Sequence, residues 1–178
     1  VAPEGSILHR FHARGRDPIH FDKGRGGRLN DPDGAYGVLY AAQTMNGAFA
    51  ETFLRQPGRR QIPEDLLAAK AYARLRIVRP LTFIGLMGTG LAPLGATAEV
   101  THGGPPYDTP QAWSAALHAH PVKADGIAYT ARHDDSAICQ ALFERAREAI
   151  EVCERVPELD ADWFWRVADL YDVGRAPG

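Results

Sequence analysis

Residues 24–55, GRGGRLNDPDGAYGVLYAAQTMNGAFAETFLR, constrain the fold more than any other stretch, because a flexible loop, a short strand and a capped helix follow one another without a linker. Gly24, Gly26 and Gly27 open the backbone to dihedrals that a Cβ disfavours, and Asn30-Asp31-Pro32-Asp33-Gly34 adds strong turn chemistry. Arg28 is therefore presented on a loop. Val38-Leu39-Tyr40-Ala41-Ala42 reads as a buried strand, too short for a helix, and Thr44 is a natural N-cap for a helix running to about Leu54. That helix carries Glu51. Arg28, Tyr40 and Glu51 are thus brought onto consecutive elements, where a functional site is expected.

The flanking chain supplies further elements. Residues 7–13 have the length of a first strand, with His9, Phe11 and Ala13 on one side and Arg10 and His12 on the other. His9, His12 and His20 lie close in sequence but lack tight ligand spacing, so no metal is expected. Pro63-Glu64-Asp65 begins a short helix with acids where the helix dipole favours them. AYARLRIVR, residues 71–79, alternates as a half-buried strand with solvated arginines. The glycine-rich residues 81–104 read as a loop or short strands; GLMGTG lacks the Lys-Ser/Thr of a phosphate loop. A packing helix follows, with Thr109 as N-cap and Pro110 at its first position, burying Trp113, Ala116 and Leu117. Residues 126–129 and 138–143 read as core strands joined by the charged turn 132–135. From Glu144 the pattern is helical, with Ala146, Ala149, Ile150 and Cys153 as an apolar stripe ending at Pro157, and residues 160–171 form a last helix. Short strands mixed with separated helices indicate an α+β fold.

At 178 residues the chain suits a single domain, residues 1–178. The net charge of −2 conceals a division: residues 1–79 carry 13 Lys/Arg against 8 Asp/Glu, and residues 80–178 carry 7 against 14. A basic first half suits a phosphate-bearing ligand and an acidic second half a basic partner, although both also suit solvated surface. Cys139 and Cys153 form no CxxC pair or zinc-like spacing, which points to a reduced, cytoplasmic compartment. No apolar run approaches the roughly 20 residues that span a bilayer, and VAPEGSILHR has no signal-like core, so neither membrane insertion nor export is expected.

GGRLN, VLYAA and AFAE, taken with LHRFHA upstream and GIAYTARHDDSAICQALFER downstream, resemble the RES family, the NAD-consuming toxins of bacterial toxin–antitoxin pairs. The resemblance is clearest over residues 8–145, with residues 146–178 expected as a helical extension packed on that domain. Two positions depart from the family pattern: Leu29 stands where an aromatic is common, and Ala131 where a serine is usual. The resemblance implies an ADP-ribosyltransferase-like α+β fold with a mixed or antiparallel β-core. It also implies cleavage of the nicotinamide–ribose bond of NAD, with transfer of ADP-ribose to a protein, phosphate or water. It further implies a Xre-type helix-turn-helix antitoxin that covers the active site, with DNA binding left to that partner.

Glu51, Tyr40 and Arg28 are the catalytic candidates, and Arg10, Arg28, Tyr40, Asn30 and Arg132 the candidates for holding NAD; no metal is implied. A carboxylate suits the oxocarbenium character that develops on ribose. Arginine suits pyrophosphate because its planar fork gives two parallel hydrogen bonds. Tyr40 offers a ring and a hydroxyl, and His133 lies close enough in sequence to contribute. The residues alone leave other readings open. Glu51 and Arg55 are spaced as an ordinary i, i+4 surface pair, and Tyr40 suits core packing. The basic, histidine-containing residues 9–28 suit a nucleic-acid-acting toxin, and Ala131 suits a binding module without activity.

Overall fold

The computed structural model describes residues 1–177. The first strand, β1 (Ile7–Ala13), and the second, β2 (Val38–Ala42), form where apolar alternation and a short apolar run require them. Thr44 then caps helix α1 (Met45–Phe53), its hydroxyl accepting from the Gly47 amide at 3.1 Å, a cap worth about 1 kcal/mol. Gly47 lets α1 lie close on the sheet: a Cβ there would stand 3.0 Å from the Ala137 Cβ and 3.2 Å from the Ala42 Cβ.

The next elements are β3 (Gln61–Ile62), α2 (Glu64–Ala68) and β4 (Lys70–Ile77). They are followed by β5 (Phe83–Gly85), the single-turn helices α3 (Leu91–Leu94) and α4 (Glu99–His102), and α5 (Asp108–Ala119). The chain then continues through β6 (Gly126–Ala131), β7 (Asp134–Phe143), β8 (Ile150–Val156), α6 (Asp162–Asp169) and β9 (Gly174–Arg175). Seven strands make one mixed sheet in the order β5-β6-β7-β2-β1-β4-β8, parallel only between β5 and β6, while β3 and β9 form a separate parallel pair. The fold is α+β, a mixed sheet with helices packed against it.

The sheet is nearly divided at its centre. β2 pairs with β7 along its whole length and β1 with β4 along its whole length, yet β1 and β2 share only the register His9 opposite Ala42. Beyond that point the two strands splay, leaving backbone groups on both that no ladder satisfies. The site described below fills this opening.

On one face, Phe49 and Phe53 of α1 pack edge-on or tilted against Phe11 and against Phe164 of α6. Phe49, Phe53 and Phe164 are fully buried, and each contributes about 1.5–3 kcal/mol by leaving water. The opposite face buries Leu8, Leu39, Leu75, Ile77 and Leu142 beneath Phe21, Leu81 and the 3-10 turn Glu144–Ala149.

Two expectations from the sequence are corrected here. Residues 146–178 are helical mainly at α6, not from Glu144 onward: after the 3-10 turn, IEVCERV forms edge strand β8 against β4. Ile150 and Val152 alternate with Glu151, and a bulge before Glu154 then brings Glu154 opposite Arg74 (3.1 Å) as Glu151 is opposite Arg76 (3.2 Å), so cross-strand pairing prevails over the helical period. These exposed pairs fix register more than they stabilise. The helix α5 starts one residue before Thr109, with Tyr107 as N-cap. It buries Gln111 and Ser114, whereas Ala116 is exposed. Among the described residues no helix is long and apolar enough to cross a membrane.

Candidate active site

The glycine-rich loop is held from three sides. Asn30 is fully buried and donates to the Asp22 carboxylate at 2.8 Å and to the Gly24 carbonyl at 2.5 Å, while its own oxygen accepts from the Tyr40 hydroxyl at 2.9 Å. The Tyr40 hydroxyl in turn accepts from the Leu29 amide at 2.8 Å. From α5, Gln111 donates to the Arg25 and Gly27 carbonyls at 2.9 and 3.0 Å, and Ser114 donates to the Leu29 carbonyl at 2.6 Å. Two polar residues of α5 therefore satisfy a loop that has no ladder of its own. Gly27 is required by contact: a Cβ there would stand 2.2 Å from the Asn30 side-chain oxygen and 2.8 Å from the Tyr40 hydroxyl.

This loop forms one wall of a cleft of about 490 Å³, whose other walls are β1, β2, α1 and the β6–β7 turn. The size falls in the range that holds a small organic ligand. Arg10 spans the split in the sheet. Its guanidinium donates to the Tyr40 carbonyl at 2.6 Å, replacing a ladder partner that β1 does not supply. Burial pushes the Arg10 pKa down to about 10, against the opposing influence of Asp22, so it keeps its charge at neutral pH. Arg28 donates to the Thr101 carbonyl and lies 5.8 Å from the centre of the Tyr107 ring, and Arg132 donates to the Gly103 carbonyl. Arg10, Arg28 and Arg132 each retain a buried Nε with no partner, as does the Nε2 of His133.

Glu51 projects from α1 into the same cleft, half-buried. One oxygen accepts from the Arg132 backbone amide at 3.1 Å and the other from the Tyr129 hydroxyl at 3.3 Å. No ion pair joins it to Arg55 among the described residues, so the i, i+4 surface pairing open in the sequence is not the arrangement made. Burial raises the pKa of both Tyr40 and Tyr129, with Glu51 adding to each. Both phenols are consequently neutral donors at physiological pH. Burial, reinforced by Arg132, lowers the pKa of His133, which favours its neutral form.

The cleft brings together Arg10, Arg28, Tyr40, Glu51 and Arg132. Asn30 does not line it; it orients Tyr40 and the loop from behind. Tyr40 combines a core position with a hydroxyl locked into the loop, so packing and site roles coincide. Ala131 is fully buried in the core, and from this turn Glu51 is met by the Arg132 amide. Leu29, at the aromatic position, is likewise buried in the core. His9 bonds the Tyr72 hydroxyl at 2.6 Å, and among the described residues no group of three or more His, Cys, Asp or Glu side chains could hold a metal.

Sequence reasoning missed Tyr129, Asp22, Gln111, Ser114 and the cleft-lining Arg55 and Lys70. A tyrosine three residues before the charged turn and on the same strand face as Ala131 was the available signal for Tyr129. Compared with known families, the sequence matches the RES domain over residues 7–163. No curated protein matches it.

Proposed function

The chain belongs to the RES domain family, and from that premise we propose that it is a cytoplasmic toxin that cleaves the nicotinamide–ribose bond of NAD and transfers ADP-ribose to a protein, phosphate or water. The observation that carries this reading is a carboxylate, Glu51, without a cationic side-chain partner among the described residues, in a cleft whose other ionised groups are mostly guanidinium. NAD presents the matching charges: a pyrophosphate, and a ribose that becomes cationic as its bond to nicotinamide breaks.

The residues fit that substrate. Arg10 and Arg28 both line the cleft, and guanidinium supplies the planar geometry that pyrophosphate accepts best. Glu51, fixed by two donors, is suited to stabilise positive charge at ribose C1, and Tyr40 to orient the ribose or the nicotinamide ring. In the reaction the C–N bond breaks with its electron pair leaving on nicotinamide, which neutralises the ring. The acceptor then gives an electron pair to C1 and releases its proton to solvent. Preorganised groups of the Glu51 kind are worth about 10²–10³ in kcat.

Enclosure of the cations in a cleft favours a small ligand over a nucleic-acid strand, which would need an open basic track. A chain consuming NAD in its own cytoplasm must be restrained, so we further propose a helix-turn-helix antitoxin that inserts a carboxylate-bearing segment against Arg10 and Arg28. Mass spectrometry after incubation with NAD, with and without phosphate and cell extract, tests the reading. Free ADP-ribose, its 1-phosphate or an ADP-ribosylated protein is expected, and intact NAD in every condition would overturn it. NAD and antitoxin binding simultaneously would refute occlusion.

A further inference from the structure

Six guanidinium or ammonium groups line the cleft against two carboxylates, Asp22 and Glu51, an excess of four positive charges. The pyrophosphate of a dinucleotide brings one negative charge on each phosphate. Two positive charges remain, and a phosphate monoester or orthophosphate carries about 1.5–2 negative charges near neutrality.

The surplus is localised. Arg55, just past the C-terminal end of α1, and Lys70, the first residue of β4, both line the cleft. No hydrogen bond or ion pair engages either side chain among the described residues. Lys70 is half-buried, and its pKa is lowered first by burial and then by the like charges of Arg55 and Arg10. Arg10, Arg55 and Lys70 thus share one cleft closely enough to repel, and only Arg10 of the three feels a nearby carboxylate, Asp22. Such crowding costs stability unless an anion relieves it. Arg28 and Arg132, by contrast, are anchored to the Thr101 and Gly103 carbonyls.

Resting on the NAD reading above, we propose that Arg55 and Lys70, with Arg10 behind them, form a second anion subsite that takes a phosphate dianion in addition to the dinucleotide's pyrophosphate. The dianion comes either on the dinucleotide, as a 2′-phosphate, or free, as orthophosphate acting as the acceptor. In both cases the subsite sets which substrate the cleft prefers.

The test compares wild type with the Arg55→Gln/Lys70→Met double variant, its folding checked by circular dichroism. Calorimetric titration with inorganic phosphate is expected to be saturable for wild type and weaker by about tenfold or more in the variant, as loss of charge-assisted contacts requires. A Lys70→Arg variant should retain binding. Nicotinamide release from NAD and NADP, each with and without phosphate, separates the two sources. A preference for NADP that disappears in the variant assigns the dianion to the dinucleotide; a stimulation by phosphate that disappears assigns it to the acceptor. Phosphate binding unchanged in the folded variant, or absent from wild type, would overturn the subsite. Absence of nicotinamide release from wild type would instead refute NAD cleavage, while the phosphate titration still decides the subsite.

Discussion

Replacing Gly27 by alanine adds one methyl group where the structure has no room for it. The new Cβ would stand 2.2 Å from the Asn30 oxygen, 2.5 Å from its Cγ and 2.8 Å from the Tyr40 hydroxyl, against the roughly 3.5–4 Å of ordinary carbon contacts. Asn30 would have to retreat by more than about 1 Å, yet it is fully buried and tied to Asp22 and Gly24. Overpacking of this kind costs about 1–3 kcal/mol, and each buried hydrogen bond broken adds about 1 kcal/mol. A total of about 2–4 kcal/mol lowers Tm by about 5–15 °C in a chain of this size. The protein that still folds should carry a displaced Tyr40 and lose nicotinamide release by about tenfold or more, since small misplacements of positioning groups are costly. Thermal denaturation and a nicotinamide assay measure both effects. Adding Asn30→Ala to Gly27→Ala should cost less than the sum of the two single changes, because the clash is shared. A Gly27→Ala protein with wild-type Tm and wild-type turnover would refute the argument.

Arg28→Lys keeps the charge but loses the fork, and calorimetry should find NAD bound about tenfold more weakly; equal affinity would remove Arg28 from the pyrophosphate site. Tyr40→Phe removes the hydroxyl that joins Leu29 to Asn30 and should lower stability by about 1–3 kcal/mol in urea titrations, with no change expected only if the loop is held by α5 alone. Asp134 is held below its usual 3.8 first by the Ser136 hydroxyl and then by Tyr171. A depressed carboxyl stabilises the fold above its unfolded value and loses that contribution as pH falls through its folded value. Asp134→Asn should therefore lower Tm at pH 7, and the difference from wild type should shrink below about pH 4; a difference independent of pH would contradict this.

What the sequence made legible is what local physics decides. The bounds of β1, β2 and α1 follow from two-residue alternation, a short apolar run and the Thr44 cap, and Arg28, Tyr40 and Glu51 follow from their positions on those elements. β8 was hidden because Ala146, Ala149, Ile150 and Cys153 also satisfy helical spacing; only the cross-strand partners on β4 decide between the periods. The roles of Asn30, Gln111 and Ser114 depend on contacts between segments up to 86 residues apart, which no local window contains. The split between β1 and β2, which makes the cleft and recruits Arg10 to the Tyr40 carbonyl, is likewise a property of pairing rather than of either strand. Arg55 looked like the partner of Glu51 because helical spacing permits it, but Glu51 instead takes donors from Tyr129 and Arg132.

The central claim is that Glu51 stabilises a cationic ribose as NAD is cleaved. Glu51→Gln preserves shape: its carbonyl oxygen can still accept from the Arg132 amide and its NH2 can donate to the Tyr129 hydroxyl oxygen, so the variant should fold and bind NAD while losing the charge. Nicotinamide release at saturating NAD, measured for wild type and for the folded Glu51→Gln protein, is predicted to fall by about 10²–10³. Equal turnover in the two proteins would contradict the account.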